Sequence, residues 1–315
     1  MIDRIIKNFS PFWKNQAMKF RDLILSKFYR YLVNNKLLFI LMYKGLLIDL
    51  ELTNSCNASC IMCPRHVIKS EGFLKEEIFK KIIRKVKKDK IKELYFCGLG
   101  EPLLHPKIAD FIGYCIKNKI NTSLNTNGYL FNPEMQDKLI KKGLKKVIFS
   151  IPSINKEIFE RIHKGLSYDI VMNHLKEAIK RKEIDVSLNI VISQLNRNNI
   201  KELIEFCNDY HLNYTWFRIN NRGIQDFNYD LILKKKYRSK DFTLKFGEIC
   251  SISSLITFIG YNGGVYLCSN DVKRKNKLCN YTDYPINKII YLKKMYFERQ
   301  AKLCNSCTVS TYMQN

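Results

Sequence analysis

The chain has 315 residues, 46% of them apolar, which suits one large domain or one domain with a small module and excludes global disorder. Its 54 basic and 29 acidic residues leave a formal net charge of +25. That charge points to anionic partners (phosphorylated substrates, nucleic acid or an acidic membrane surface), although the lysines are spread along helices as a general compositional bias would spread them. Eleven cysteines, an odd number, with no charged-then-apolar leader at the start, argue against a disulfide framework and for metal ligands and free thiols in a cytoplasmic setting.

Residues 1 to about 45 are basic and amphipathic, with six lysines and three arginines against two aspartates through Lys44. Phe9, Phe12, Trp13, Phe20, Leu23, Ile24 and Phe28 are interleaved with those charges. The longest uncharged apolar run, Leu37 to Tyr43, is too short to span a bilayer. Packing against the rest of the fold is the expected role of this extension, and peripheral contact with a membrane surface is the alternative.

From Leu46 the pattern alternates strand and helix. Leu46 to Leu52 reads as a first strand. Phe79, Ile82, Ile83 and Val86 then make a helical stripe at i, i+3, i+4, i+7. Leu94 to Cys97 is a second strand, followed by a stripe of Ile108, Phe111, Ile112 and Cys115. Thr122 to Thr126 and Val147 to Ile151 are the third and fourth strands. Val171, Leu175 and Ala178 mark a helix. Val186, Leu188, Ile190 and Ile192 alternate as a fifth strand. A stripe of Ile200, Leu203, Ile204 and Cys207 precedes a sixth strand, Tyr214 to Ile219. Six successive strand–helix units predict an α/β fold with a parallel sheet, open or closed into a partial barrel, whose strand C-terminal ends carry the chemistry. Residues 226–249 read as a polar linker. Thr257 to Tyr261 and Val265 to Cys268 flank Asn262-Gly263-Gly264, a strong hairpin signal, and Ile286 to Lys302 reads as a closing helix.

The chemistry-bearing motifs fall at those strand ends. After the first strand comes Cys56-Asn57-Ala58-Ser59-Cys60-Ile61-Met62-Cys63. Three thiolates at that spacing can hold three corners of a cubane iron–sulfur cluster and leave one iron open. With His66 they could instead form a Cys3His zinc site, or they could be core cysteines. After the second strand comes Gly98-Leu99-Gly100-Glu101-Pro102, whose glycines let a ligand approach the backbone. After the third comes Asn125-Thr126-Asn127-Gly128, with Ser123 and Asn125 on one strand face. The fourth strand ends at Ser150.

Together these residues resemble the radical S-adenosylmethionine superfamily. The resemblance covers roughly residues 46–219, within a core taken as 46–225, and rests on Cys56, Cys60, Cys63, on Gly100-Glu101-Pro102 and on their order. It implies a partial (β/α)6 TIM-like barrel. Cys56, Cys60 and Cys63 would hold a [4Fe–4S] cluster whose open iron takes the amino and carboxylate groups of S-adenosylmethionine. The segment containing Gly98, Gly100, Glu101 and Pro102 would receive the amino group. Met62 would lie near the adenine, and Asn125 and Ser150 near the methionine carboxylate or the ribose. Reductive cleavage would give a 5′-deoxyadenosyl radical that takes a hydrogen atom from substrate, with electrons from a flavodoxin- or ferredoxin-like donor. Two positions depart from the family pattern. Met62 stands where many members carry an aromatic residue, and Pro152 where many carry an acid.

Cys250, Gly263 with four residues between it and Cys268, Cys268 itself, Cys304 and Cys307 resemble the auxiliary-cluster module called SPASM, in its shortened twitch form. That resemblance implies a hairpin-plus-helix module over 250–315 in which Cys250, Cys268, Cys304 and Cys307 hold a second [4Fe–4S] cluster. Structural zinc is the alternative for these four. Cys279 reads as a free thiol, and Cys97, Cys115 and Cys207 as core residues. The implied activity is oxidation or epimerisation of a small or sugar-like, anionic substrate contacted by Arg65, Tyr129 and Arg218. A peptide maturase is the nearest alternative. A non-catalytic zinc-binding adaptor is the alternative from another class, and nucleic acid is not an expected partner.

Overall fold

The computed structural model describes residues 47–219, 222 and 256–298. The N-terminal extension, the linker 226–249, Cys250, Cys304 and Cys307 lie outside the described residues. Strand β1 (Leu47–Leu50) leads through the cysteine loop to helix α1 (Glu76–Lys88), then β2 (Glu93–Phe96), α2 (Ile108–Lys117), β3 (Asn121–Thr126) and α3 (Pro133–Lys141). Next come β4 (Lys146–Ser150), α4 (Lys156–Ile162), α5 (Tyr168–Ile179), β5 (Asp185–Ile192), α6 (Ile200–Asp209) and β6 (Asn213–Arg218). The C-terminal part holds β7 (Ile256–Ile259), β8 (Gly264–Tyr266), β9 (Lys277–Asn280) and α7 (Ile286–Glu298). Among the described residues no helix is long and apolar enough to cross a membrane.

The strands form one sheet in the order β6-β5-β4-β3-β2-β1-β7-β8-β9. β1 to β6 are parallel neighbours, as helical crossovers require. β7 joins the other edge of β1, also parallel, with Asp49 opposite Phe258. The expected hairpin then turns back, with Phe258 opposite Tyr266. It extends the same sheet, and an unexpected third strand, β9, follows it with Val265 opposite Cys279.

Helices α1, α2 and α5 bury the stripes that the sequence marks, and α6 buries Leu203 and Cys207 of its four. In α1 the stripe is Phe79, Ile82, Ile83 and Val86, and Phe79 stacks on Phe111 of α2 at 3.8 Å between ring centroids. The strands give Ile48, Leu50, Leu94, Phe96, Leu124, Val147, Phe149, Val186 and Leu188 to the same core. The period of two therefore turns Asp49, Tyr95, Ser123, Asn125 and Ser150 to the opposite, interior face. Cys115 and Cys207 are core residues as expected. Cys97 is not. It is partly exposed and donates a hydrogen bond to Asp49, because it continues the interior-facing side of β2. Burial, opposed by that bond and by Lys293, pushes the Asp49 carboxyl up to about 6.

Candidate active site

The cysteine loop is fastened on both flanks. Toward its C-terminal side, Thr53 Oγ1 donates to Gly72 O at 2.7 Å and Asn54 Nδ2 to Ser70 O at 2.8 Å, while Gly72 N donates back to Asn54 Oδ1 at 2.8 Å. On the opposite flank Ser59 N donates to Lys164 O at 2.8 Å and Ile61 N to Ile162 O at 3.0 Å, which straps the loop to the end of α4. Within the loop Cys63 N donates to Cys60 O at 3.0 Å. The three thiols share this enclosure. Burial pushes Cys56 and Cys60 upward; Glu101 and Cys63 raise Cys56 further, and Cys63 and Cys56 raise Cys60.

Among the described residues no three Cys, His, Asp or Glu side chains converge closely enough to ligate one metal ion. A Cys3His zinc site needs that convergence. A cubane does not, since each of its thiolates takes a different iron.

The turn after β2 lies directly against this loop. A Cβ on Gly100 would stand 2.3 Å from Thr53 O and 2.5 Å from Ser55 O, so only glycine fits. Glu101 N donates to Ser55 O at 2.8 Å. The Glu101 carboxylate is taken up by protein donors. It accepts from Leu103 N at 3.1 Å, Thr126 Oγ1 at 2.8 Å and Asn127 N at 2.8 Å, tying the β2 and β3 turns together. Burial raises its pKa to about 7 against those three donors. Glu101 thus enters the site through its backbone. In Glu101→Gln an amide NH2 must either face the Asn127 N–H or abandon the other two donors. A buried donor left unsatisfied costs about 1–3 kcal/mol. The expected result is a melting temperature several degrees below wild type in thermal unfolding.

Asn127, which the sequence reading left without a role, is the hub of the site. Its Nδ2 donates to Asn57 Oδ1 at 2.8 Å and lies 3.9 Å from Cys56 Sγ, and its Oδ1 accepts from Tyr129 N at 3.0 Å. The Asn-Thr-Asn-Gly run was visible in the sequence. Which asparagine faces the cysteine loop was not.

Asn125 keeps its expected place on the interior face, and its Oδ1 is buried without a hydrogen-bond partner. A buried acceptor in that state is suited to a ligand that brings a donor. Met62 lies with Ile61, Ile162, Val191 and Ser193 around a shallow surface depression that encloses no cavity. Val191 and Ser193 were missed because the fifth strand was read only for its core-facing alternation. Ser150 ends β4, half-buried. Two residues on, Pro152 offers only its carbonyl, which Asn196 Nδ2 engages at 2.7 Å.

The expected substrate residues are described only in part. Arg65 donates to Asn54 O at 3.1 Å and pairs with Glu71, so its guanidinium braces the cysteine loop. Tyr129 packs half-buried against the core, and the side chain of Arg218 lies outside the described residues. Cys268 follows β8, partly exposed. Cys279 sits on β9, its thiol pushed up to about 11 by burial.

The family model for the Radical SAM superfamily matches residues 50–207. A protein named probable GTP 3′,8-cyclase from Methanocaldococcus jannaschii is 29% identical over 163 residues, covering 51% of this chain and 54% of that protein. A tungsten-containing aldehyde ferredoxin oxidoreductase cofactor-modifying protein from Pyrococcus furiosus is 28% identical over 165 residues, 50% of this chain and 46% of that protein. The chain thus spans about half the length of these curated relatives. The crystal structure of Streptococcus suis SuiB bound to S-adenosylmethionine superposes with a TM-score of 0.65 at 15% identity, covering 84% of this chain and 72% of that one, a likeness of fold.

Proposed function

The chain belongs to the radical SAM superfamily, and on that premise we propose that it cleaves S-adenosylmethionine reductively and uses the product to oxidise or epimerise a small, anionic or sugar-like substrate. The observation that carries the reading is the close packing of Gly100 on the carbonyls of Thr53 and Ser55, which puts the turn after β2 and the three-thiol loop into one site. When bound, a [4Fe–4S] cluster and S-adenosylmethionine supply one electron to the sulfonium and a 5′-deoxyadenosyl radical that takes a hydrogen atom from an unactivated carbon.

The chain's own residues have separable tasks. Cys56, Cys60 and Cys63 provide three thiolates. Burial and the negative groups nearby oppose ionisation of Cys56 and Cys60 in the bare protein, so iron binding and proton release are coupled there. The Gly98 to Pro102 turn offers backbone groups to the amino group of S-adenosylmethionine. Asn125 Oδ1 and Ser150 are available for the polar groups of the methionine or the ribose, and the apolar surface around Met62 for adenine. Glu101 and Asn127 hold these parts in register, and the enclosing strands limit water.

Cys250, Cys268, Cys304 and Cys307 are proposed to hold a second [4Fe–4S] cluster. It would accept an electron from a substrate radical and so favour net oxidation. The basic composition agrees with an anionic substrate, and the archaeal relative named as a GTP 3′,8-cyclase bears the name of an enzyme of a nucleotide. A peptide substrate is the second reading. SuiB, which shares the fold, was also crystallised with its precursor peptide. A zinc adaptor is left without support by the family match.

The test is made on the full chain purified without oxygen. Iron and acid-labile sulfide should be present, and a low-potential reductant should yield 5′-deoxyadenosine from S-adenosylmethionine. Two equivalents of zinc with no sulfide would defeat the proposal. Deuterium transfer from candidate substrates into 5′-deoxyadenosine then identifies the substrate.

A further inference from the structure

Glu51 is fully buried one residue beyond β1, and three parts of the chain meet on its carboxylate. Leu99 N, inside the turn after β2, donates to Oε1 at 3.1 Å. Arg274 Nη2 donates to the same oxygen at 2.6 Å. Tyr261 N, in the β7–β8 turn, approaches Oε2 at 3.5 Å. The fit behind the turn is close, since a Cβ on Gly98 would lie 2.7 Å from Glu51 Cγ.

Arg274 is itself held from several sides. Its guanidinium carbon lies 4.4 Å from the ring centre of Phe258 and 5.0 Å from that of Tyr266. Such stacking suits a planar guanidinium better than an ammonium. Its backbone sits at φ +52°, a left-handed conformation that a non-glycine residue keeps only when its surroundings over-determine it. Arg274 N donates to Asp271 O at 2.9 Å, and Asp271 N to Cys268 O at 3.2 Å. The Asp271 carboxylate accepts from Lys275 N and Asn276 N at 3.2 and 2.7 Å. Residues 268–276 are therefore a fixed loop with Cys268 at one end and Arg274 near the other. A second contact runs beside the ion pair. Leu99 and Val272 are buried together, with Val67 and Ile68 packed on them.

We infer that Arg274 is a positioning residue for S-adenosylmethionine: through Glu51 it fixes the Gly98–Gly100 turn, so that the loop beginning at Cys268 sets the shape of the amino-group seat. The inference rests on the S-adenosylmethionine reading above. It adds a coupling between the C-terminal strands and the first turn of the barrel, and coupling of this kind acts in both directions. Whatever orders the Cys268 loop tightens the seat, and a filled seat stiffens the loop.

Arg274→Met removes the guanidinium and keeps an apolar side chain between Phe258 and Tyr266. Because it also leaves the Glu51 carboxylate buried without its partner, the double variant Glu51→Gln/Arg274→Met is measured beside it. The double variant is neutral and keeps one oxygen for Leu99 N. The first readout needs no cluster: amide hydrogen exchange in the full chain as purified. The expected result is faster exchange confined to residues 97–103 and 268–276, with the other strands unchanged. The second readout is equilibrium binding of S-adenosylmethionine to reconstituted protein with an unaltered cluster spectrum. Binding should weaken at least tenfold in both variants, and Arg274→Lys should recover only part of it. Uniformly faster exchange across the sheet, or binding within twofold of wild type, overturns the inference. Wild-type protein that binds no S-adenosylmethionine would refute the cofactor reading instead, and exchange localised to the two segments would still report the coupling.

Discussion

Cys60→Ala should reduce 5′-deoxyadenosine formation to background while leaving the fold and any cluster at the C-terminal cysteines in place. Cys60 is the middle one of the three thiols proposed as cluster ligands. The backbone on either side is pinned, through Ser59 N to Lys164 O and Ile61 N to Ile162 O, so the loop cannot slide to offer another group. Cys97, on the strand next door, is committed to Asp49. Partners that only touch a metal ligand are typically worth roughly 10–100-fold, so loss of a ligand should exceed about 100-fold. Iron and sulfide should fall by one cluster's complement. Cys60 is only partly buried, and truncation to alanine removes one sulfur, so melting of the metal-free protein should change by no more than a few degrees. Retained 5′-deoxyadenosine formation would remove Cys60 from the cluster and the loop from its proposed role.

Gly100→Ala should be the most damaging single methyl group in the described fold. The atoms it meets are backbone, Thr53 O at 2.3 Å, Ser55 O at 2.5 Å and Asn54 C at 2.8 Å, and side-chain rotation cannot relieve them. Nor can the loop retreat, because Thr53 and Asn54 are tied to Gly72 and Ser70. Overpacking of this kind costs about 1–3 kcal/mol. At roughly 2–4 °C per kcal/mol for a domain of this size, that is a loss of about 2–12 °C in melting temperature. The functional loss should be larger, since the turn can accommodate the methyl only by lifting off the cysteine loop. Gly113→Ala is the control. Gly113 lies within α2, where a Cβ meets only Lys142 Cδ at 3.3 Å, and replacing a helical glycine gains about 0.5–1 kcal/mol. Calorimetry and S-adenosylmethionine binding on the two variants separate a local steric effect from a general response to added bulk. Equal behaviour would show that the turn is not packed as described.

Much of the fold is legible in the sequence because its helices bury apolar stripes. Phe79, Ile82, Ile83 and Val86 fix the face of α1, and alternation in β5 fixes which side meets the helices. Helix α3 was missed for a physical reason. Its buried positions are Leu139 and Gln136, and Gln136 Nε2 satisfies Phe131 O and His174 O, a polar side chain filling an apolar position. β9 was missed because its residues are partly exposed and show no alternation. At the site, Cys56, Cys60 and Cys63 and the Gly98 to Pro102 turn were legible because their chemistry demands fixed spacing. Asn127, Glu51 and Arg274 were not. Their roles arise from contacts up to 223 positions apart along the chain, which leave no local pattern. The bracing role of Arg65 was hidden for the same reason, since its partner Glu71 is recognisable only once the loop has folded back.

The parallel pairing of β7 with β1 bears on how the protein is made. β1 is the first strand of the described sheet, yet one of its edges is completed by Ile256–Ile259, more than two hundred residues later. During synthesis that edge has no partner until most of the chain has emerged, and it adjoins the cysteine loop. An open strand edge invites pairing with other chains, and pairing across so long a separation is slow to form. The segment that completes the sheet is followed directly by the loop that braces Glu51. The last part of the barrel wall to arrive therefore also brings the guanidinium that neutralises the carboxylate beneath the active-site turn. A growing chain cannot finish the cofactor seat before its outer strands are in place.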